Sequence, residues 1–226
     1  PLTARALRQN RSGNERDFPQ DVLELQNYFE TPEPEQPVRA VPGAGLKMPI
    51  WLLGSSLFSA QLAGMLGLPY AFASHFAPDY LLDALHVYRR EFRPSEHLEQ
   101  PYAMVGVNIV AADSDAEARR LLTSQQVQSI QMIRGQRGPL GPPIDDIESY
   151  WTPAEKLAVE HKLTYSFAGS AASIRHALTS LIDQTSADEV ITTVRIFDPA
   201  AALHSLEILA DLRQECAADA TSSTER

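Results

Sequence analysis

A short run of small and hydroxyl-bearing residues is the stretch of this chain best suited to bind an anion. Gly54-Ser55-Ser56 follows the unbroken apolar run at residues 50–53 and opens a segment of helical spacing, whose first turn also contains Ser59. Gly54 lets a ligand approach the main chain, and the three hydroxyl groups can donate hydrogen bonds to it. Because the N-terminus of a helix attracts negative charge, this turn is a candidate phosphate site. The alternative is that Ser55 or Ser56 only caps the helix.

The segments around this turn alternate between strand and helix. The apolar runs at residues 50–53 and 70–73 are typical of strands buried on both faces, and residues 57–66 carry apolar side chains at helical spacing. Gly67 and Pro69 end that helix. Two parallel strands joined by a helix place the turn at the carboxyl edge of the sheet, where α/β proteins commonly bind ligands.

The rest of the chain continues this alternation. Two further strands are predicted at residues 102–111 and 188–195, and Asn108 is the polar exception within the first of them. Asn108 can point into a site or bond the main chain. Residues 166–170 lead into a helix, with Gly169-Ser170 as a second small-residue turn at its start. The predicted helices span residues 1–10, 19–30, 57–66, 79–92, 114–133, 152–163, 171–184 and 199–217.

This order of elements predicts an α/β fold in which four βα units form a partial (βα)8 barrel, as a single domain over residues 1–217. Half a ring of strands leaves two open edges and an uncovered apolar face. Either more strands precede these four, or a partner covers the face, or the fold is not a barrel. The chain starts at Pro1 and its first convincing strand comes late, which predicts that an N-terminal part of the barrel lies outside this sequence.

Two segments are predicted to be irregular. Residues 134–150 are rich in Gly and Pro and form a long loop, which makes them a lid candidate. Residues 218–226 are small and polar and are predicted to be a flexible tail.

Composition and charge argue against several classes of function. The 226 residues carry a net charge of −10, which disfavours binding to nucleic acids or to anionic membranes. No apolar run approaches the length of a membrane span, and no apolar core of a signal peptide follows Pro1. Cys216 is the single cysteine, so no intrachain disulfide forms, and a cytoplasmic protein is expected. The six histidines form no HxH or HExxH pattern, so no metal site is predicted.

Six segments together resemble the bacterial luciferase-like flavin-dependent monooxygenases, and more narrowly the branch called luciferase family oxidoreductase, group 1. They read IWLLGSS, LGLPYAFASHF, YRREFRPS, VGVN, ARRL and ADEV, and they begin at residues 50, 66, 88, 105, 118 and 187. The resemblance extends over most of the chain and corresponds to the C-terminal two-thirds of the family domain. It implies a (βα)8 barrel that binds reduced flavin mononucleotide (FMN) at the carboxyl ends of its strands, with roughly a hundred residues before Pro1.

The resemblance assigns the turn at Gly54 to the cofactor. Ser55, Ser56 and Ser59 match the flavin-phosphate turn of the family and the first turn of its helix. This is the same turn that spacing alone indicates as an anion site.

By position, the resemblance also brings His75 into reach of a flavin and substrate pocket at the same edge. A lone histidine is more often structural than catalytic, so His75 is a pocket candidate only, as is Asn108. Arg195 also lies near a strand end, and no catalytic residue is assigned.

The implied activity is a monooxygenase reaction in which reduced FMN activates molecular oxygen and one oxygen atom passes to a small organic substrate. The resemblance allows for a homodimer and for a flavin reductase that supplies the reduced cofactor. Two other classes stay open. One is a truncated, non-catalytic half-barrel that binds flavin weakly or oligomerises. The other is a different phosphate-binding barrel enzyme, such as an aldolase or isomerase, although no lysine lies in a predicted strand to form a Schiff base.

Overall fold

The computed structural model describes residues 17–224, with side chains described as far as residue 214. Strands and helices alternate through this range. The strands are β1 (Leu52–Gly54), β2 (Tyr70–Phe72), β3 (Ala103–Ala111), β4 (Ser166–Gly169) and β5 (Glu189–Thr193). The helices are α1 (Phe18–Phe29), α2 (Leu57–Leu66), α3 (Leu81–Glu91), α4 (Asp115–Ile133), α5 (Pro153–Lys162), α6 (Ala171–Thr185) and α7 (Pro199–Thr224). The helix predicted over residues 1–10 lies outside the described residues.

Short-range capping signals set the ends of the helices, as the sequence predicts. Ser56 caps α2, where its Oγ accepts a hydrogen bond from the main-chain N–H of Ser59 at 3.5 Å. Gly67 ends the same helix with φ of 61°, a left-handed conformation that glycine adopts without a Cβ clash. Thr152 and Glu155 form a capping box at the start of α5, whose helix is predicted from residue 152. The predicted bounds of α2 are therefore confirmed at both ends.

All strands pair in parallel, and the nine-residue strand β3 lies at the centre of the sheet. β1 pairs with β2, and β2 pairs with the first part of β3, where Phe72 lies opposite Val105. β5 pairs with residues 104–108 of β3. The helices that connect these strands bring all carboxyl ends to one edge of the sheet.

Strand β4 corrects the sequence prediction, which has four strands and none at residues 166–169. Asn108 N donates to Tyr165 O just before β4, while Gly106 O accepts from His75 N just after β2. Gly106 and Asn108 are two residues apart, so their main-chain groups face the same edge of β3, and β4 continues where β2 ends. β4 has only four residues, with serine at one end and glycine at the other, so it shows no apolar strand pattern.

Two predicted boundaries also shift. β5 ends at Thr193, so Arg195 follows the strand instead of belonging to it. α7 continues to Thr224, past its predicted end at residue 217. A flexible tail over residues 218–226 stays a prediction.

The two faces of the sheet differ in how they are covered. Alternate side chains of β3 are fully buried against the helices, namely Ala103, Val105, Val107, Ile109 and Ala111. On the opposite face, Leu53 of β1 and Ile191 of β5 are 68% and 52% exposed. An incompletely covered apolar face is what half a ring of strands predicts.

Tyr88 of α3 joins the starts of two strands from inside the core. Its side chain is fully buried, and its hydroxyl donates to the carbonyl oxygen of Leu68, before β2, at 2.9 Å. The same hydroxyl accepts from the main-chain N–H of Tyr102, before β3, at 3.0 Å. A helix side chain thus satisfies two main-chain groups that the sheet ladder leaves unpaired.

Tyr88→Phe is expected to lower the free energy of unfolding by about 1–3 kcal/mol, because it leaves these buried main-chain groups without partners. Urea titration followed by circular dichroism measures the change. Tyr80→Phe is the matched control, since Tyr80 is 51% exposed. Equal effects of the two substitutions would show that the buried hydrogen bonds contribute nothing.

Candidate functional site

The turn between β1 and α2 packs against two buried hydroxyl groups on its interior side, those of Ser59 and Tyr70. Ser59 is buried, and its Oγ donates to the Ser56 carbonyl oxygen at 2.8 Å and lies 3.2 Å from Tyr70 Oη. A Cβ atom on Gly54 would collide with the Ser59 side chain, so only glycine fits at this position. Sequence spacing predicts Gly54 as a point of ligand approach, and in the structure Gly54 also makes room for Ser59.

The groups still open at this turn are two main-chain donors and one hydroxyl. Ser56 acts as the N-cap, which confirms the capping interpretation, and Ser59 points into the interior. The N–H groups of Leu57 and Phe58 and the hydroxyl of Ser55 have no hydrogen-bond partner within residues 17–224. Binding of a phosphate here would therefore use main-chain N–H groups and Ser55 first.

The turn before α6 has a similar sequence, but a carboxylate of the chain already occupies it. Asp115 Oδ1 accepts hydrogen bonds from Ser170 N at 2.7 Å and from Ser173 Oγ at 2.8 Å. The hydrogen bonds from Ser170 and Ser173 lower the pKa of Asp115 to about 2. No acidic residue lies in the first turn of α2. Of these two small-residue turns, only the one at Gly54 lacks an anion of its own among the described residues.

A cavity of about 310 Å³ opens at the carboxyl edge of the sheet, beside the ends of β2 and β5 and the middle of β3. It brings together the two pocket candidates from the sequence, His75 and Asn108, and Arg195, which the sequence places only near a strand end. We call it the carboxyl-edge cavity. Its other lining residues are Phe76, Gln125, Gln128, Ser129, Met132, Lys162, Leu163, Ser166 and Thr193.

His75 reaches this cavity because β3 has a glycine beneath it. The His75 N–H donates to Gly106 O at 2.9 Å, and a Cβ atom on Gly106 would lie 2.6 Å from His75 Nδ1. His75 Nδ1 is buried and has no hydrogen-bond partner among the described residues. The ring itself is part of the lining of the carboxyl-edge cavity.

A chain of amide hydrogen bonds forms the floor of the cavity. Asn108 Nδ2 donates to Gln125 Oε1 at 3.0 Å, and both side chains are almost fully buried. Gln125 Nε2 donates to the carbonyl oxygen of Arg195 at 2.7 Å, and the Arg195 guanidinium donates to Gln128 Oε1 at 2.6 Å. Asn108 thus lines the cavity and bonds a side chain, so neither of its two predicted roles alone describes it.

The sequence prediction missed the contribution of α4. Gln125, Gln128 and Ser129 line the cavity from this helix, and Thr123 and Ser124 are buried beside them. The available signal was the polar run at residues 123–129, which gives this helix a polar inward face where an apolar stripe is usual.

A second cavity lies at the opposite end of the strands. It has a volume of about 480 Å³, and its lining includes Trp51, Pro69, Tyr102 and Glu189, which precede or begin their strands. Trp51 and Tyr102 pack edge to face, with ring centroids 5.6 Å apart. This cavity is larger than the carboxyl-edge cavity, but it lies at the amino-terminal edge. In barrel folds that edge contributes to stability, and active sites lie at the opposite one.

The lid candidate at residues 134–150 is irregular, as predicted, but hydrogen bonds connect it to α4 and α5 at several points. Ile144 bonds Thr123 Oγ1 through both its N–H and its carbonyl oxygen, at 2.8 and 3.1 Å. Arg134 donates to the Tyr150 carbonyl oxygen and forms a bidentate pair with Glu155. A lid role stays a prediction, and the contacts leave residues 136–143 as the part with the fewest restraints.

Two negative findings apply to the described part of the chain. Among residues 17–224, no three His, Cys, Asp or Glu side chains come together in a way that would hold a metal ion. In the same range, no helix combines the length and the apolar composition that crossing a membrane requires.

Comparison with known proteins decides the family. The model of the luciferase-like monooxygenase family matches residues 3–189. The chain belongs to this family. A luciferase-like monooxygenase of Escherichia coli is 50% identical over 213 residues, which cover 94% of this chain and 64% of that protein. The chain therefore spans about two thirds of the length of this relative.

Solved structures confirm the fold of this luciferase-like chain. The structure of apo-MsnO8 superposes with a TM-score of 0.79 at 29% identity, covering 95% of this chain and 64% of MsnO8. The oxygenating constituent of 3,6-diketocamphane monooxygenase of Pseudomonas putida, solved in complex with FMN, has a TM-score of 0.53 at 21% identity. The superposition covers 78% of this chain and 51% of the Pseudomonas putida chain. These matches confirm the predicted α/β fold of the luciferase-like barrels, of which this chain forms a part.

The buried hydroxyl behind the turn at Gly54 generates a pH-dependent prediction for this luciferase-like protein. Burial raises the pKa of Tyr70 to about 12 from 10.0, and the hydrogen bond with Ser59 lowers it only in part. Above pH 10 the unfolded chain releases a proton that the folded chain keeps, so stability falls as the pH rises toward 12. Tyr70→Phe removes this titration, so the parent should lose about 1 kcal/mol more than the variant between about pH 9 and pH 11.

Urea titration at each pH measures this difference. Tyr80→Phe, which alters an exposed tyrosine, should follow the parent. Parallel pH profiles for the parent and Tyr70→Phe would contradict the prediction.

Proposed function

We propose that this protein is an FMN-dependent monooxygenase that uses reduced FMN and molecular oxygen to oxidise a small organic substrate. The observation that carries the proposal is the turn at Gly54, a helix N-terminus at the carboxyl edge. Within residues 17–224, two of its main-chain N–H groups have no partner and no carboxylate occupies it. Family membership supports the reaction class, and the FMN complex of the Pseudomonas putida structure supports the choice of flavin. Because the chain spans 64% of its Escherichia coli relative, the activity of the whole protein is part of the proposal.

The described residues fit the phosphate end of FMN. Gly54 makes room for the Ser59 side chain, which supports the turn from the interior. The N–H groups of Leu57 and Phe58 and the hydroxyl of Ser55 supply donors for phosphate oxygens, and the dipole of α2 adds to the attraction. Ser59 supports the turn from the interior, so its hydroxyl acts on the phosphate through the position of Ser56.

The neighbouring strand would position the rest of the site. Ala73 N donates to Gly54 O at 3.0 Å, and His75, two residues further on, crosses β3 at Gly106. Main-chain hydrogen bonds therefore connect the phosphate turn, the residues after β2 and the middle of β3, where the His75 ring lies. When bound, reduced FMN would supply the electrons that activate oxygen. The chain would hold the phosphate, orient the cofactor along this edge and keep water away from it.

The proposal extends to the setting of the enzyme. A flavin reductase would deliver reduced FMN, or the cofactor would stay bound between turnovers. A homodimer and a cytoplasmic location belong to the same proposal, and the net charge of −10 supports the expectation of no nucleic-acid partner.

The test compares FMN with riboflavin, which lacks the phosphate, by titration of each flavin and measurement of its fluorescence. The parent chain should bind FMN tighter than riboflavin by about tenfold, the contribution of charge-assisted hydrogen bonds to the phosphate. Ser56→Asp keeps an N-cap but adds negative charge, so FMN affinity should fall by about tenfold or more while riboflavin affinity is unchanged.

Ser114→Asp is the matched control. Ser114 caps α4 in the same manner, with its Oγ accepting from Glu117 N at 3.2 Å, and it lies outside the proposed site. This variant should bind both flavins as the parent does. Equal binding of FMN and riboflavin, binding of neither, or equal effects of the two Asp variants would overturn the phosphate assignment.

A further inference from the structure

The carboxyl-edge cavity is cationic in a strongly acidic protein. Lys162 and Arg195 line it, and none of its described lining residues is acidic. Among the described residues, Lys162 Nζ donates to the sulfur of Met132, at 3.8 Å, and the Arg195 guanidinium donates to the neutral side chain of Gln128. Neither cation has a carboxylate partner within residues 17–224. By contrast, Arg120, Arg134 and Lys156 all form salt bridges.

The wall of the cavity also contains polar atoms without partners. His75 Nδ1 and Ser166 Oγ are buried and make no hydrogen bond with any described residue. A buried polar atom without a partner is destabilising, so native proteins usually pair such atoms. Both residues line the cavity. The wall thus contains polar groups that no described residue pairs.

The rim of the cavity is apolar. Phe76 and Met132 are 73% and 55% exposed, and Leu163 is a further apolar lining residue. A ligand that suits this arrangement has a charged head for the cations and a hydrocarbon body for the rim.

We propose that the carboxyl-edge cavity binds the anionic head of an organic substrate, a carboxylate or sulfonate with an apolar body. Lys162 and Arg195 neutralise the head, and Ser166 and His75 donate hydrogen bonds to it. The assignment of this anion as a substrate rests on the proposed monooxygenase function. The cavity lies across β2 from the phosphate turn, so the substrate head and the cofactor phosphate would bind at different places along one edge.

The probe is hexanoate, with hexanol as its uncharged counterpart, titrated into the flavin-free chain and followed by NMR of the backbone amides. Hexanoate should bind tighter than hexanol by about tenfold because only it makes charge-assisted hydrogen bonds. Lys162→Gln and Arg195→Gln should each weaken hexanoate binding by about fivefold or more and leave hexanol unchanged. Both side chains are exposed, and the Arg195 carbonyl that Gln125 bonds is retained, so both variants should fold.

Arg119→Gln is the matched control, since Arg119 is an exposed cation on α4 outside the cavity. It should bind hexanoate as the parent does. Inorganic phosphate should not displace hexanoate at equal concentration, because it lacks the apolar body.

Each other outcome overturns the proposal. Equal binding of hexanoate and hexanol would show that the cavity does not select an anionic head. An effect of Arg119→Gln equal to that of Lys162→Gln would show that hexanoate responds to the overall charge of the protein and not to the cavity. Efficient displacement by inorganic phosphate would make the cavity a general anion site. The flavin titrations with Ser56→Asp are independent of these measurements, so a failed substrate site and a failed FMN assignment are distinguishable.

Discussion

The parallel pairing of three strands with β3 is the constraint on which the rest of the structure depends. β3 is long enough to pair with β2 near its start and with β4 near its end along one edge, and with β5 along the other. Because every pairing is parallel, the turn at Gly54, the His75 ring and the residue Arg195 all emerge at the carboxyl edge. Gly106 is also required, since a Cβ atom at this position of β3 would collide with the His75 ring.

The same physical rule, that a helix N-terminus attracts an anion, has two different outcomes in this chain. At α6 the anion is internal: Asp115 of α4 accepts hydrogen bonds from Ser170 and Ser173 and so ties two helices together. At α2 the cap is a neutral serine, and two N–H groups stay open. A sequence motif of small residues cannot separate these outcomes, because the carboxylate that fills the α6 turn comes from 55 residues earlier in the chain.

Features set by neighbours along the chain were predictable, and features set by distant contacts were not. The cap at Ser56 and the helix end at Gly67 depend on residues within one turn, and both were among the interpretations drawn from sequence. The inward direction of Ser59 depends on Tyr70, and β4 is a strand only because β3 is there to pair with it. Likewise, His75 and Asn108 were predicted as pocket residues, but Lys162 and Gln125 reach that pocket only through the packing of α4 and α5.

The polar inward face of α4 is a place where the requirements of stability and of a functional site differ. A helix that only had to stabilise the sheet would present apolar side chains to it, yet α4 buries Thr123, Ser124 and Gln125. Thr123 and Gln125 are satisfied by Ile144 and Asn108, whereas Ser124 Oγ has no partner among the described residues. A buried network with one unpaired member is less stable than an apolar core of the same shape. Local rules are broken in this way where a site requires it, and α4 breaks them where it faces the carboxyl-edge cavity.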